Sequence, residues 1–217
     1  MAIDFTLPPE IEDIRLKVRE FIDDEVRPRT EKLEANEADR GEFVKAIIEL
    51  RGRAKEVGLW LPQMPKEWGG LGLGATAMAF VQAEAVRSSI GPFVLNCQAP
   101  DEGNMHTLLH AATPAQKEKY LRPLAEGRSR SCFAMTEPEV SGSDPTLIQT
   151  KAEKDGDDWV INGHKWFISG AKGAKFAIVI ARTDPDADPP QARNSAFLVD
   201  LPADGFEIVR DIDTMHG

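Results

Sequence analysis

Two short apolar runs in the second half of this chain each end in a hydroxyl residue. SCFAMT ends at Thr136, and HKWFIS ends at Ser169. Between them stand Glu137-Pro138 and then Ser141-Gly142-Ser143-Asp144. Pro138 cannot donate to a sheet, so a strand must stop there and leave the Thr136 hydroxyl and its neighbouring amides at a strand end. Glycine at 142 permits the positive-φ geometry that turns successive N–H groups inward as an anion nest, and Ser143 adds a hydroxyl. Trp166 and Phe167 bring aromatic area beside Ser169, and stacking on a flat ring is worth about 1 kcal/mol. These residue types suit a planar, hydrogen-bonding ring carrying a diphosphate. The plainer alternative is a decorated turn with core aromatics. Strand alternation would send Trp166 and Phe167 to opposite faces, one of them into the core.

The elements that must position these groups change character near Ser131. Upstream the chain reads as helices. Ile11, Ile14, Val18, Phe21, Ile22 and Val26 recur at steps of three and four, with Pro8-Pro9 before them and a stop expected at Pro28. Phe43, Ala46, Ile47, Leu50, Ala54 and Val57 repeat the pattern up to a C-terminal cap at Gly58. Further helices are expected over 74–88 and 101–112. Thr113-Pro114-Ala115-Gln116 spells a capping box that opens a helix running to about Leu121, before Pro123. Downstream, strands are expected at 131–136, 147–154, 158–162, 164–168, 176–183, 195–201 and 206–210. Lys151-Ala152-Glu153-Lys154 followed by Asp155-Gly156-Asp157-Asp158 reads as a strand entering a turn, and Asn162-Gly163 between WVI and HKWFIS is a strong hairpin signal. Residues 184–194 (DPDADPPQARN) read as a loop. Helices first and strands second predict an α+β chain, with domains over 1–128 and 129–217.

Other patterns carry less. Gly70-Leu71-Gly72-Leu73-Gly74-Ala75 matches G-x-G-x-x-A, but Pro65-Lys66-Glu67-Trp68 precedes it where a dinucleotide fold needs a strand, so a tight loop is expected. His106 and His110 stand one helical turn apart without a third ligand, which predicts no metal site. Asp23-Asp24-Glu25 reads as a solvated helix face. No G-x-S-x-G elbow supports hydrolase chemistry.

Bulk properties narrow the partners. The net charge of −10 disfavours nucleic acid, which needs clustered Lys and Arg. Any phosphate must be held by local dipoles against the overall field. Cys97 and Cys132 are the only cysteines and read as reduced, partly buried, small hydrophobes. MAIDFTLPPE has neither a basic region nor an apolar core of a secretory signal, and no apolar run approaches a membrane span. The expected location is cytoplasmic, or an organelle matrix.

On these residues the chain resembles the acyl-CoA dehydrogenases. GLWLPQMPKEWGGLGLG at 58–74, TPAQKEKYLRPLAEG at 113–127, FAMTEPEVSGSD at 133–144 and INGHKWFISGA at 161–171 resemble four ordered family motifs. One residue more stands between Pro138 and Gly142 than in the common pattern. The resemblance implies a helical N-terminal domain followed by a small antiparallel, β-barrel-like middle domain. It implies FAD, with Phe133, Met135, Thr136, Gly142, Ser143, Phe167, Ile168 and Ser169 as cofactor-binding residues and Ser143 also as a substrate-binding one. The implied reaction is α,β-desaturation of an acyl-CoA thioester, by abstraction of the α-proton and hydride transfer to flavin N5, as in β-oxidation. Electrons would pass to an electron-transfer flavoprotein, and the enzyme would be a homo-oligomer, dimer or tetramer. The family's catalytic carboxylate lies in a C-terminal helical bundle, and this chain reaches Asp213-Thr214-Met215-His216-Gly217 before it, so no catalytic residue is assigned here. The flavin-facing side is expected to expose apolar area around Phe133, Met135 and Phe167. A non-catalytic half docking a separate bundle-bearing chain, or a flavin oxidase or monooxygenase of the same fold, are the alternatives.

Overall fold

The computed structural model describes residues 6–212. MAIDF and Asp213–Gly217, on which the readings of the two chain ends partly rest, lie outside the described residues. The chain divides into two compact units. One runs through His110 and takes back Ala125–Gly127; the other holds Ala111–Leu124 and continues from Arg128.

The first unit is helical: α1 (Pro9–Phe21), α2 (Arg27–Ala35), α3 (Arg40–Glu56), α4 (Ala75–Ala85), α5 (Gly91–Leu95) and α6 (Asp101–Ala111). The predicted apolar stripe is buried at Val18, Phe21, Ile22 and Val26. Its expected stop at Pro28 is not observed. A π-helical segment, Ile22–Val26, links α1 to α2, and Pro28 sits in the first turn of α2. A proline lacks an N–H and crowds the carbonyl four residues back, and a widened turn ahead of it relieves both problems. The same device recurs in the second unit. Thr113 and Gln116 form the predicted capping box of α7 (Pro114–Gln116), a π segment Lys117–Leu121 follows, and α8 (Arg122–Ala125) carries the helix past Pro123. Inside the first unit, α1 is tied to α4 by Glu84, whose buried carboxylate accepts from Arg15 (2.7 Å) and Arg19 (2.8 and 2.9 Å). Asp39 and Glu42 cap α3 reciprocally. The glycine-rich segment before α4 is the expected loop, folded back so that Gly72 N–H meets the Met64 carbonyl at 2.8 Å.

The second unit is built on β4 (Phe176–Arg182), the most apolar strand and the centre of a mixed five-stranded sheet. β5 (Asn194–Asp200) pairs antiparallel along its whole length. On the other edge β1 (Ser131–Ala134) pairs in parallel with Phe176–Val179, and β2 (Lys151–Asp155) meets it at Arg182. β3 (Asp158–Asn162) pairs antiparallel with β2. Among the described residues the sheet is open, not closed as a barrel, and it is not purely antiparallel. Because β1 and β2 share one edge of β4, the chain between them, residues 135–150, must leave the sheet and come back. The predicted turn chemistry lies on that excursion.

Three expectations are corrected here. Asn162-Gly163 makes no hairpin; the turn between β2 and β3 is the one expected at Asp155–Asp158, with Asp155 opposite Asp158. Gly163 serves a different purpose: a Cβ there would stand 2.1 Å from Thr150 Oγ1 and 2.6 Å from its Cβ, so only glycine lets the backbone pass. Residues 164–168 form no strand. The Trp166 N–H goes to the Thr136 carbonyl on the excursion, and the Ile168 carbonyl takes the Ala171 N–H of its own turn. Residues 206–210 are likewise extended without a strand partner among the described residues, leaving Phe206, Ile208 and Val209 exposed.

Candidate functional site

Thr136 and Trp166 clasp each other. The Thr136 carbonyl accepts the Trp166 N–H at 3.1 Å, and the Thr136 hydroxyl donates to the Trp166 carbonyl at 2.7 Å. The two hydroxyl-ended segments picked out in the sequence therefore converge. One step beyond the clasp, Phe167 has φ 51, a left-handed conformation that costs an aromatic residue about 1 kcal/mol or more. That turn overrides strand alternation. It puts the two rings together, with centroids 4.8 Å apart, and leaves Phe167 59% and Trp166 37% exposed. Neither ring is a core residue, contrary to the expectation for one of them. Phe133 and Met135 are half-buried, so the exposed apolar area is carried by the two loop aromatics.

Gly142 lies against Thr136: a Cβ there would approach Thr136 Cγ2 to 3.1 Å. Its φ is not positive, so the inward-turned nest expected at this glycine is not formed. A turn takes its place, with Asp144 N–H on the Ser141 carbonyl at 3.2 Å, and Asp144 Oδ1 accepts from Thr146 N at 2.9 Å and Thr146 Oγ1 at 2.6 Å. Ser141 and Ser143 hydroxyls face each other at 3.0 Å. Ile168 turns inward, packed on Cys132, Ala174 and Ala177, and Ser169 is exposed on the turn that follows. Phe133 is held in β1 opposite Ile178.

Beneath the clasp lies a group that the sequence reading passed over. Glu137 is 2% exposed. Its carboxylate accepts from Gln149 N at 2.7 Å, Thr150 N at 2.8 Å, Thr150 Oγ1 at 2.5 Å and Lys165 Nζ at 2.8 Å. Lys165 Nζ also donates to the Met135 carbonyl at 2.8 Å. Burial alone would push the Glu137 carboxyl up. The Lys165 and Thr150 side chains and the two backbone N–H groups outweigh it and hold the group down at about 2. Burial pushes the Lys165 ammonium down, and Glu137 offsets part of that. A signal was available: an acid between the strand-end threonine and Pro138, and a lysine at the matching place before Trp166.

The other candidates remain plain. His106 stacks on His110 at 6.5 Å and pairs with Glu102 at 3.2 Å, and no metal-binding cluster occurs among the described residues. Cys97 and Cys132 are buried and in no disulfide. Two open hollows, of about 370 and 400 Å³, lie on the helical unit.

Both parts of the chain match domains of one family. The N-terminal domain of acyl-CoA dehydrogenases matches residues 8–128, and their middle domain matches residues 132–217. The probable acyl-CoA dehydrogenase FadE2 of Mycobacterium tuberculosis is 37% identical over 96% of this chain, which covers 52% of that protein. Acyl-CoA dehydrogenase family member 11 of Gallus gallus is 34% identical over 95% of the chain, which covers 28% of it. The chain thus spans about half or less of these relatives. An acyl-CoA dehydrogenase homologue from Mycobacterium abscessus superposes with a TM-score of 0.86 at 35% identity, over 97% of this chain and 55% of that one. A glutaryl-CoA dehydrogenase from Mycobacterium smegmatis, solved with FADH2, superposes at 0.70 with 26% identity, over 93% and 48%. By its helical and middle domains alike, this chain belongs to the acyl-CoA dehydrogenase family.

Proposed function

We propose that this chain supplies one wall of the FAD site of an acyl-CoA dehydrogenase, an oxidoreductase that desaturates an acyl-CoA thioester between its α and β carbons. The observation that supports this best is the Thr136–Trp166 clasp carrying an exposed, left-handed Phe167. A conformation of that kind persists only where its surroundings over-determine it, and such residues cluster at ligand sites. When bound, FAD supplies the two-electron acceptor for the reaction.

The chain's own residues divide the work of holding it. Phe167, exposed, and Phe133 and Met135, half-buried, would offer apolar surface to a flat ring. Thr136 has spent its hydroxyl proton on Trp166, so its oxygen can only accept. That suits a ring N–H on the pyrimidine edge and not a carbonyl. Ser169, exposed on the turn that follows, would offer the ring a hydroxyl donor, and a preorganised donor stabilises developing negative charge. From the serine turn, Ser143 through its hydroxyl and Gly142 through its backbone N–H would serve the diphosphate, and Ser143 also the acyl-CoA. Glu137 is not the α-proton base: its lone pairs are engaged by four donors and a carboxyl held at about 2 is a poor base near neutral pH. No carboxylate of this chain is assigned that role.

An electron-transfer flavoprotein as acceptor, a homo-oligomeric assembly and a cytoplasmic or organelle-matrix location complete the proposal. Structural neighbours include a glutaryl-CoA dehydrogenase and a steroid ACAD, so acyl groups beyond fatty acids belong in the test. The test is acyl-CoA-dependent bleaching of flavin absorbance in the full-length enzyme under anaerobic conditions. Bleaching by an acyl-CoA with release of the enoyl product supports the reading; a flavin-loaded enzyme inert to a panel of straight, branched, dicarboxylic and steroid acyl-CoAs refutes it.

A further inference from the structure

We propose that Glu137 and Lys165 are positioning residues for the flavin wall, fixing the direction of the Met135 carbonyl and the left-handed turn at Phe167. This inference rests on the proposed flavin site. The pair flanks the clasp on both of its segments: Glu137 follows Thr136, and Lys165 precedes Trp166. Lys165 Nζ reaches two acceptors at once, the Met135 carbonyl and Glu137 Oε1, each at 2.8 Å. Glu137 Oε2 takes the Gln149 N–H, and Oε1 takes the Thr150 N–H and hydroxyl, so the carboxylate anchors the clasp to the chain that enters β2. Three separated segments, 135–137, 149–150 and 165–167, are thereby held at one point.

Packing alone does not require an ion pair here. Apolar residues of similar volume often replace a buried pair without loss of stability. What an apolar pair cannot do is aim a carbonyl. An ammonium bonded to both a carboxylate and a backbone oxygen fixes where that oxygen points, and Met135 O is adjacent to the clasp. The pair is neutral as a unit, so it adds little net field to a ring above it. Its contribution is geometric. The strained Phe167 gives it something to hold: released from the clasp, an aromatic residue would leave the left-handed region.

The test uses the full-length enzyme with Lys165→Met, Glu137→Gln and the conservative Lys165→Arg. Two readouts are taken on folded protein. The first is amide hydrogen exchange at Trp166, which is protected by the Thr136 carbonyl. Lys165→Met should speed it at least tenfold while the amides of β2 paired with β3 keep their protection, and Lys165→Arg should restore most of it. The second is the visible circular dichroism and dissociation constant of bound FAD: affinity should fall about tenfold with an altered flavin band, again rescued by arginine. Unchanged Trp166 exchange, or wild-type flavin dichroism and affinity, in a folded Lys165→Met protein would overturn the proposal. If Lys165→Met does not fold, Glu137→Gln decides it by the same two criteria. If the wild-type enzyme binds no FAD, the flavin reading itself fails, and with it the functional role of the pair, whereas Trp166 exchange still reports whether the pair holds the loop.

Discussion

Replacing Gly163 by alanine should cost about 3 kcal/mol, and the structure says why the cost is high. The new Cβ would stand 2.1 Å from Thr150 Oγ1, 2.6 Å from its Cβ and 2.7 Å from its Cγ2. Overpacking of this kind costs roughly 1–3 kcal/mol, and the lower figures need a neighbour that can yield. Thr150 cannot swing away cheaply, because its N–H and hydroxyl are both engaged by Glu137 at 2.8 and 2.5 Å. The comparison is Gly156→Ala in the β2–β3 turn, where φ is +62 and a Cβ would meet nothing within 4 Å. There only the left-handed backbone matters, at about 1 kcal/mol. Urea denaturation followed by circular dichroism gives both values from midpoint and slope. A Gly163→Ala protein no less stable than Gly156→Ala would refute the close-approach argument and return Asn162-Gly163 to an ordinary turn.

Two further outcomes are expected. Acid should destabilise the β unit in a defined window. The Glu137 carboxyl is held at about 2 when folded, below its ordinary value of 4.5, so its stabilisation is complete above about pH 4.5 and is lost as pH falls towards 2. The shift corresponds to about 3 kcal/mol. Glu84 is lowered in the same direction by Arg19 and Arg15 and should make the helical unit acid-labile too. Stability measured against pH checks this, and Glu137→Gln should flatten the β-unit profile. The thiols should be silent: burial pushes Cys97 up to about 12, and Cys132 is 1% exposed, so a thiol reagent should label neither until the protein unfolds.

Local chemistry made much of this fold legible in the sequence. The apolar stripe over Val18–Val26, the Thr113–Gln116 capping box and the break near Ser131 each rest on neighbours close in the chain. The prolines misled because their local cost is relieved by a widened turn one step upstream, which no propensity encodes. Asn162-Gly163 misled for a related reason: a glycine that makes room for Thr150 and a glycine that makes a turn look alike in sequence. The clasp site was found through its hydroxyl ends, Thr136 and Ser169. The side chain that organises it was missed, because Glu137 meets its partners 12, 13 and 28 residues away, after the sheet has returned the chain.

The most direct test is a titration of FAD into the isotopically labelled protein, followed by amide chemical shifts. At millimolar flavin even weak contact should move resonances in residues 133–143 and 166–169 together, with Phe167 and Thr136 among the largest, and leave α1–α3 unmoved. Shifts that fall on the helical unit, with the clasp and the serine turn unaffected, would contradict the flavin wall.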